Sequence, residues 1–214
     1  WYAIRDADDG CTHAARELFG YKKLSALDVW RKARLGVEAN RPRVVRSAVE
    51  IVSPESLPQL KDVLDAPSKY LISRATAAGK ARQELIVLAL IKLAGSDPDG
   101  AARQLDSKWS VHLSPEERNW AWGVIGKAAA QKLSSDAVDY FANVTRDKDL
   151  NDDLLGWKVR AALRAGQWKT VGKAVDAMGP EARQDSTWVY WKARSLLAGK
   201  PSEADRAEAR QMLE

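Results

Sequence analysis

Residues that carry chemistry are scarce in this sequence. It holds one cysteine, Cys11, and two histidines, His13 and His112. A lone cysteine forms no internal disulfide, and neither histidine has a second metal-binding residue at ligand spacing, so a metal centre and a bound cofactor are both excluded as expectations. Cys11 and His13, two positions apart, point to different faces of a helix and make no thiol–base pair. Phosphate-cradling glycine loops and Ser/His/Asp sets are missing, and two histidines supply little material for acid–base work. Long hydrophobic runs are missing too. The most apolar stretch, Leu85 to Ile91, is closed by Lys92 and falls far short of the ~20 residues a membrane-spanning helix needs; it reads instead as the most deeply buried helix. Phenylalanine is nearly absent, two residues against nine tryptophans, so indoles do the large aromatic packing.

What is present is helix punctuation. Ser25, Ser53-Pro54-Glu55, Asn151-Asp152-Asp153 and Ser202 read as helix starts, and Pro42, Pro67 and Pro98 as first-turn prolines. Ser114-Pro115-Glu116-Glu117 is the cleanest start, a serine cap facing a glutamate three residues on. These signals predict helices from Ser25 past Leu35, Pro42 to Val52, Ser53 to Leu64, Pro67 to Ala78 and Gln83 to Ala94, the last closed by Gly95. Further helices are predicted from Pro98 to Leu105, Pro115 towards Leu133, Asp136 to Val144, Asn151 onward, Thr187 to Leu197 and Ser202 to Leu213.

One segment occurs twice. Trp157-Lys158-Val159-Arg160-Ala161-Ala162-Leu163 returns as Trp191-Lys192-Ala193-Arg194-Ser195-Leu196-Leu197, a step of 34 residues from position 157 to position 191. Each copy runs into a glycine, Gly166 or Gly199, and then into a second amphipathic stretch. A period of that length with helix, turn and helix in each unit is the mark of a stacked helical array. The expected fold is therefore all-α, an α-solenoid or superhelix of short helical hairpins. It is read as a single domain over 1–214, with irregular hairpins over about 1–150 and TPR-like repeats over about 151–214. The chain opens on Trp1, and Ala204 to Glu214 carries no stop signal, as expected of a segment of a longer protein.

Arrays of this kind shape, span and bind more than they catalyse, and no catalytic residue is assigned. Glu55-Ser56 is an acid–serine pair of the sort found in some glycosidases, but it lies at a helix start with no second acid placed to assist. Asp6-Ala7-Asp8-Asp9-Gly10 lacks the ligand spacing of a calcium loop and reads as a solvated helix edge. Trp157, Arg160, Trp191 and Arg194 are the candidate binding residues. Trp and Arg three apart share a helix face, so the guanidinium can lie over the indole. One reading is a ladder of indoles and cations suited to sugar rings and acidic groups; the other is that each Trp fills the gap between stacked helices. A net charge of +5 and an isoelectric point near 9.3 suit an anionic partner. The basic residues are spread out rather than run together, so nucleic acid is not expected.

Two stretches, Asp28-Val29-Trp30-Arg31 through Glu38-Ala39-Asn40-Arg41 and Trp157 through Trp168 followed by Thr187 through Arg194, resemble the soluble lytic murein transglycosylases. The likeness is to the long helical domain that precedes their catalytic domain. It implies a U-shaped superhelix in a periplasmic protein that acts on peptidoglycan. In that family a lysozyme-like domain cleaves the MurNAc–GlcNAc bond with one glutamate, leaving a 1,6-anhydro sugar, and its hallmark is Glu-Ser followed by Gly-Leu-Met-Gln. This chain has no Gly-Leu-Met-Gln, so Glu55 inherits no role. The expected function is a non-catalytic scaffold that positions glycan strands or holds cell-wall synthesis or remodelling proteins. The alternative is a free-standing TPR-like scaffold for protein–protein interaction.

Overall fold

The computed structural model describes residues 1–2 and 6–214. Among the described residues the chain is all-α, with fourteen α-helices and no strand. None of these helices is long and apolar enough to cross a membrane. Contacts divide the chain into two compact units, Trp1–Glu117 and Arg118–Glu214.

The first unit contains α1 (Asp9–Gly20), α2 (Ala26–Glu38), α3 (Pro42–Val52), α4 (Leu57–Asp65), α5 (Pro67–Ser73), α6 (Lys80–Ser96), α7 (Pro98–Gln104) and the first turn of α8 (Pro115–Gln131). Its centre is α6. Every residue from Leu85 to Ile91 is buried, because α2, α4, α5 and α7 pack around it. An all-round apolar helix is stable in water only when enclosed in this way. The α2–α3 hairpin turns at Asn40, whose φ of 53° is one asparagine tolerates. The two helices come close where Gly36 faces Val44 and Val45; a Cβ on Gly36 would lie 3.0 Å from a Val45 methyl.

Several helix ends follow local chemistry. The Ser25 hydroxyl accepts the Asp28 N–H at 3.2 Å, while the Asp28 carboxylate accepts the Ser25 N–H at 3.0 Å. Ser114 and Glu117 make the same reciprocal pair at 3.3 and 2.7 Å. Some ends depart from the sequence expectation. Ser53 caps no backbone group; its hydroxyl meets Glu55 and Ser56, Pro54–Ser56 form a single 3-10 turn, and α4 begins at Leu57. The reason is Pro58, which has no N–H to donate and is tolerated only in a first turn. The helix opened by Pro67 stops at Ser73 rather than Ala78, since Ala75 and Ala78 are exposed and offer too little apolar area to hold another turn. Gly95 does not end α6; Asp97 does, driven out of helical geometry by Pro98.

Inside this unit lies a buried ionic cluster. Arg34, fully buried on α2, donates to both carboxylate oxygens of Glu84 on α6 at 2.9 and 2.7 Å and to both of Glu116 on α8 at 2.9 Å. Arg31 donates to Glu116 as well. Lys80 pairs with Glu84 at 2.7 Å and with Glu117 at 2.5 Å. Three cations thus face three carboxylates. Burial works against the Arg34 charge, but Glu84 and Glu116 outweigh it and hold the guanidinium above its ordinary value. Burial would likewise raise Glu116, yet Arg34 and Arg31 pull it below the usual glutamate value of 4.5. Burial would lower Lys80, and Glu84 and Glu117 reverse that.

The second unit holds the rest of α8 with α9 (Ala137–Ala142), α10 (Asp152–Arg164), α11 (Trp168–Ala177), α12 (Pro180–Arg183), α13 (Ser186–Leu196) and α14 (Glu203–Leu213). Here α10 packs on α11, α11 on α13 and α13 on α14, each helix meeting the next in order. Trp157 and Trp191 each occupy the sixth position of their helix; Gly166 (φ 67°) closes α10 in the left-handed region, and Gly199 (φ 77°) follows the end of α13. Asn151 accepts the Leu154 N–H at 2.8 Å and starts α10; Ser202 and Asp205 cap α14 reciprocally. Along α8, Gly123 and Gly126 make room for Leu150 and Phe141; a Cβ on Gly126 would lie 2.8 Å from the Phe141 ring. The buried Asn119 ties the next turn down, donating to Asp149 at 2.7 Å and accepting the Thr145 N–H at 2.9 Å.

Arg34→Ala leaves Glu84 buried beside a vacated cation and should lower unfolding free energy by about 3–5 kcal/mol in urea titration. The pH dependence has a definite sign. Glu116, depressed in the folded state, adds stability that is present above pH 4.5 and lost as pH falls through its folded value. Lys80, raised in the folded state, adds stability present below pH 10.5 and lost above it. Urea midpoints should therefore hold level between these limits and drop on either side. In Arg34→Ala the acid-side drop should be shallower.

Candidate functional site

The sequence-derived candidates converge in the second unit. Trp157, Arg160 and Trp191 line a trough of about 660 Å³ between the end of α8, α9, α10 and α13, together with Leu133, Val138 and Arg164. That volume is ordinary for a ligand or side-chain pocket. Arg194 does not line it and is exposed. The 34-residue step therefore brings both tryptophans to one cavity but only the first of the two arginines.

The Trp157–Arg160 pair forms as the i,i+3 spacing predicts, with the guanidinium carbon 5.1 Å from the indole centroid. A third residue joins it. Trp188 on α13 lies 5.1 Å from the same guanidinium, so Arg160 serves two indoles at once. Gly156 makes this possible: a Cβ there would come 3.0 Å from Trp188 and 3.1 Å from Arg160. Trp188 was not among the sequence candidates. Its only cue is membership of the Trp188-Val189-Tyr190-Trp191 cluster; its distance from Arg160 along the chain hides the contact. Trp157 also packs on the cluster formed by Ala129, Ala130, Ala137, Phe141 and Ala161. Trp191 meets Tyr190 edge-on, ring centroids 5.0 Å apart.

Electrostatics set the trough apart. Its lining includes Arg160 and Arg164 and no carboxylate. Arg164 donates to the Leu133 carbonyl at 3.2 Å, and among the described residues neither guanidinium is paired with an acid. Several other cations in this unit do meet an acid: Lys158 pairs with Asp147 and Lys192 with Asp176, both at 2.6 Å, and Lys127 with Asp153 at 2.5 Å.

The other candidates stand apart from the trough. Glu55 accepts the Ser53 hydroxyl at 2.5 Å, which holds its carboxyl below the ordinary value; a general acid needs the opposite shift. Asp8 caps α1 by accepting the Cys11 N–H at 2.7 Å. The Cys11 thiol is pushed up, first by its bond to Asp8, which disfavours the reactive thiolate. Among the described residues no group of His, Cys, Asp and Glu could hold a metal ion.

No family model matches the chain and no curated protein matches it. Five chains of solved structure do. One is the lytic transglycosylase Slt of Pseudomonas aeruginosa, solved as an inactive mutant. The likeness has a TM-score of 0.59 at 21% identity, covering 98% of this chain and 35% of that one. The two share a fold over nearly all of the present sequence, which spans about a third of the larger protein.

The Arg160 sandwich is testable on its own. Arg160→Ala and Trp188→Ala, singly and together, should reveal a coupling of about 0.5–1 kcal/mol in a double-mutant cycle read by urea unfolding. Arg194→Ala paired with Trp188→Ala should show none.

Proposed function

We propose that this chain is a non-catalytic helical scaffold of a periplasmic, peptidoglycan-acting lytic transglycosylase. On this reading it positions glycan strands for a lysozyme-like catalytic domain elsewhere in the parent protein. The observation that carries the reading is the extent of the fold likeness, 98% of this chain laid on one third of a lytic transglycosylase. Two features support it. The sequence blocks around Trp30 and Trp157–Arg194 resemble the helical domain of that family, and the net charge of +5 suits an anionic wall polymer. A catalytic role for the chain itself finds no support in Glu55, whose carboxyl is held ionised.

The unpaired arginines of the trough favour a second reading, a scaffold that binds a partner protein. The two are separable. Purified chain mixed with isolated sacculi should co-sediment with them, more at low salt than at high salt, and should release no anhydro-muropeptides. Release by the chain alone would overturn the non-catalytic assignment. The coding sequence beyond Glu214 is the complementary check. A Glu-Ser followed by Gly-Leu-Met-Gln within a lysozyme-sized segment is expected, and a reading frame that carries neither overturns the parent enzyme.

A further inference from the structure

The trough carries a side chain whose placement packing does not explain. α8 ends in a Schellman turn, with the Leu133 N–H donating to the Ala130 carbonyl and the Ser134 N–H to the Ala129 carbonyl, both at 3.0 Å. The geometry puts Leu133 in the left-handed region, φ 60°. The same turn closes α2 with Asn40, α10 with Gly166 and α1 with Lys22. Glycine and asparagine are the residues that region favours, and lysine is at least at home in water. Leucine is strained there, and 69% of its surface is exposed, so burial returns nothing for the strain. Residues that break a local rule without a packing gain concentrate at functional surfaces.

Leu133 sits at the trough beside Val138 and Trp191, with Arg160 and Arg164 on the same lining and no acid among them. Indole and unpaired guanidinium groups are what a protein interface uses as anchors, and an exposed leucine beside them adds apolar area to bury. Sugar rings make a different demand, a free indole face. Trp157 is in contact with the α8–α9 core and with the Arg160 guanidinium, which also occupies Trp188, so Trp191 is left as a single indole and not a ladder. We infer that this trough docks a segment of a partner protein that sets a large apolar side chain against Leu133, Val138 and Trp191 and directs aspartate or glutamate to Arg160 and Arg164.

The test uses the full chain and a short fluorescein-labelled peptide of alternating glutamate and leucine, followed by fluorescence anisotropy at low salt. Saturable binding is expected, with none for the counterpart in which lysine replaces glutamate. Arg164→Glu should weaken binding roughly tenfold or more. Leu133→Asn separates docking from folding: it should weaken binding to a similar degree while leaving the thermal midpoint unchanged or higher, since asparagine accepts the left-handed turn. The proposal is overturned if the acidic peptide does not saturate or if both variants bind it like the parent. It is also overturned if soluble glycan strands bind with the same dependence on Arg164 and Leu133, which would assign the trough to carbohydrate. None of these outcomes bears on the enzyme reading, which rests on sacculi and the coding sequence.

Discussion

The first unit is organised around one guanidinium that water does not reach. Removing Arg34 from solvent is unfavourable by itself, and two glutamates, each engaged through both oxygens, make it tolerable. Each glutamate brings a further cation, Lys80 to Glu84 and Arg31 to Glu116, so the charges balance locally. A hydrophobic replacement of equal volume could match such a cluster in stability. What the ion pairs add is a penalty for the wrong register. Sliding α2 by one residue against α6 would strand an unneutralised charge in the interior, whereas an apolar contact would merely repack. The first turn of α8 is held in the same way, because Glu116 and Glu117 both point into the cluster while Glu117 also completes the cap at Ser114.

The basic excess takes on a different meaning once the pairs are placed. Spread along the sequence, the arginines and lysines read as solvated surface, and many are engaged with carboxylates near or far along the chain. The trough stands out because it gathers two arginines and no carboxylate on one lining. A mild net charge becomes informative where cations cluster without acids, and here two do so beside exposed leucine and half-buried tryptophan. The fold likeness and the trough speak to separate questions. The first concerns how the chain folds, and the second concerns which of its surfaces is built to bind.

What the sequence disclosed was whatever is local. Ser25, Ser114, Asn151 and Ser202 cap their helices because the groups involved lie within three residues, and Leu85–Ile91 proclaims its burial by composition alone. The Trp157–Arg160 pair was legible for the same reason. Arg34 was not, since its partners lie 50 and 82 residues away, and a charged residue inside an amphipathic pattern looks like surface. Trp188 was hidden because its contact depends on Gly156 letting α13 approach α10. Ser53 misled because its own cap signal is strong; the proline that overrules it, Pro58, sits a turn later. Leu133 had no signal at all, as nothing in a leucine announces a left-handed turn.

In the second unit each helix of the series α10, α11, α13 and α14 leans mainly on its immediate neighbours, and α13 and α14 bury only Ala193 and Ala209 completely. Such a stack has no keystone. Its resistance to opening accumulates interface by interface, so protection of backbone amides against solvent exchange would decline in steps from α10 outward to α14 rather than vanish at once. The α8–α10 side of the trough can then stay ordered while α13, which brings Trp191 to it and Trp188 against Arg160, loosens with the outer hairpin.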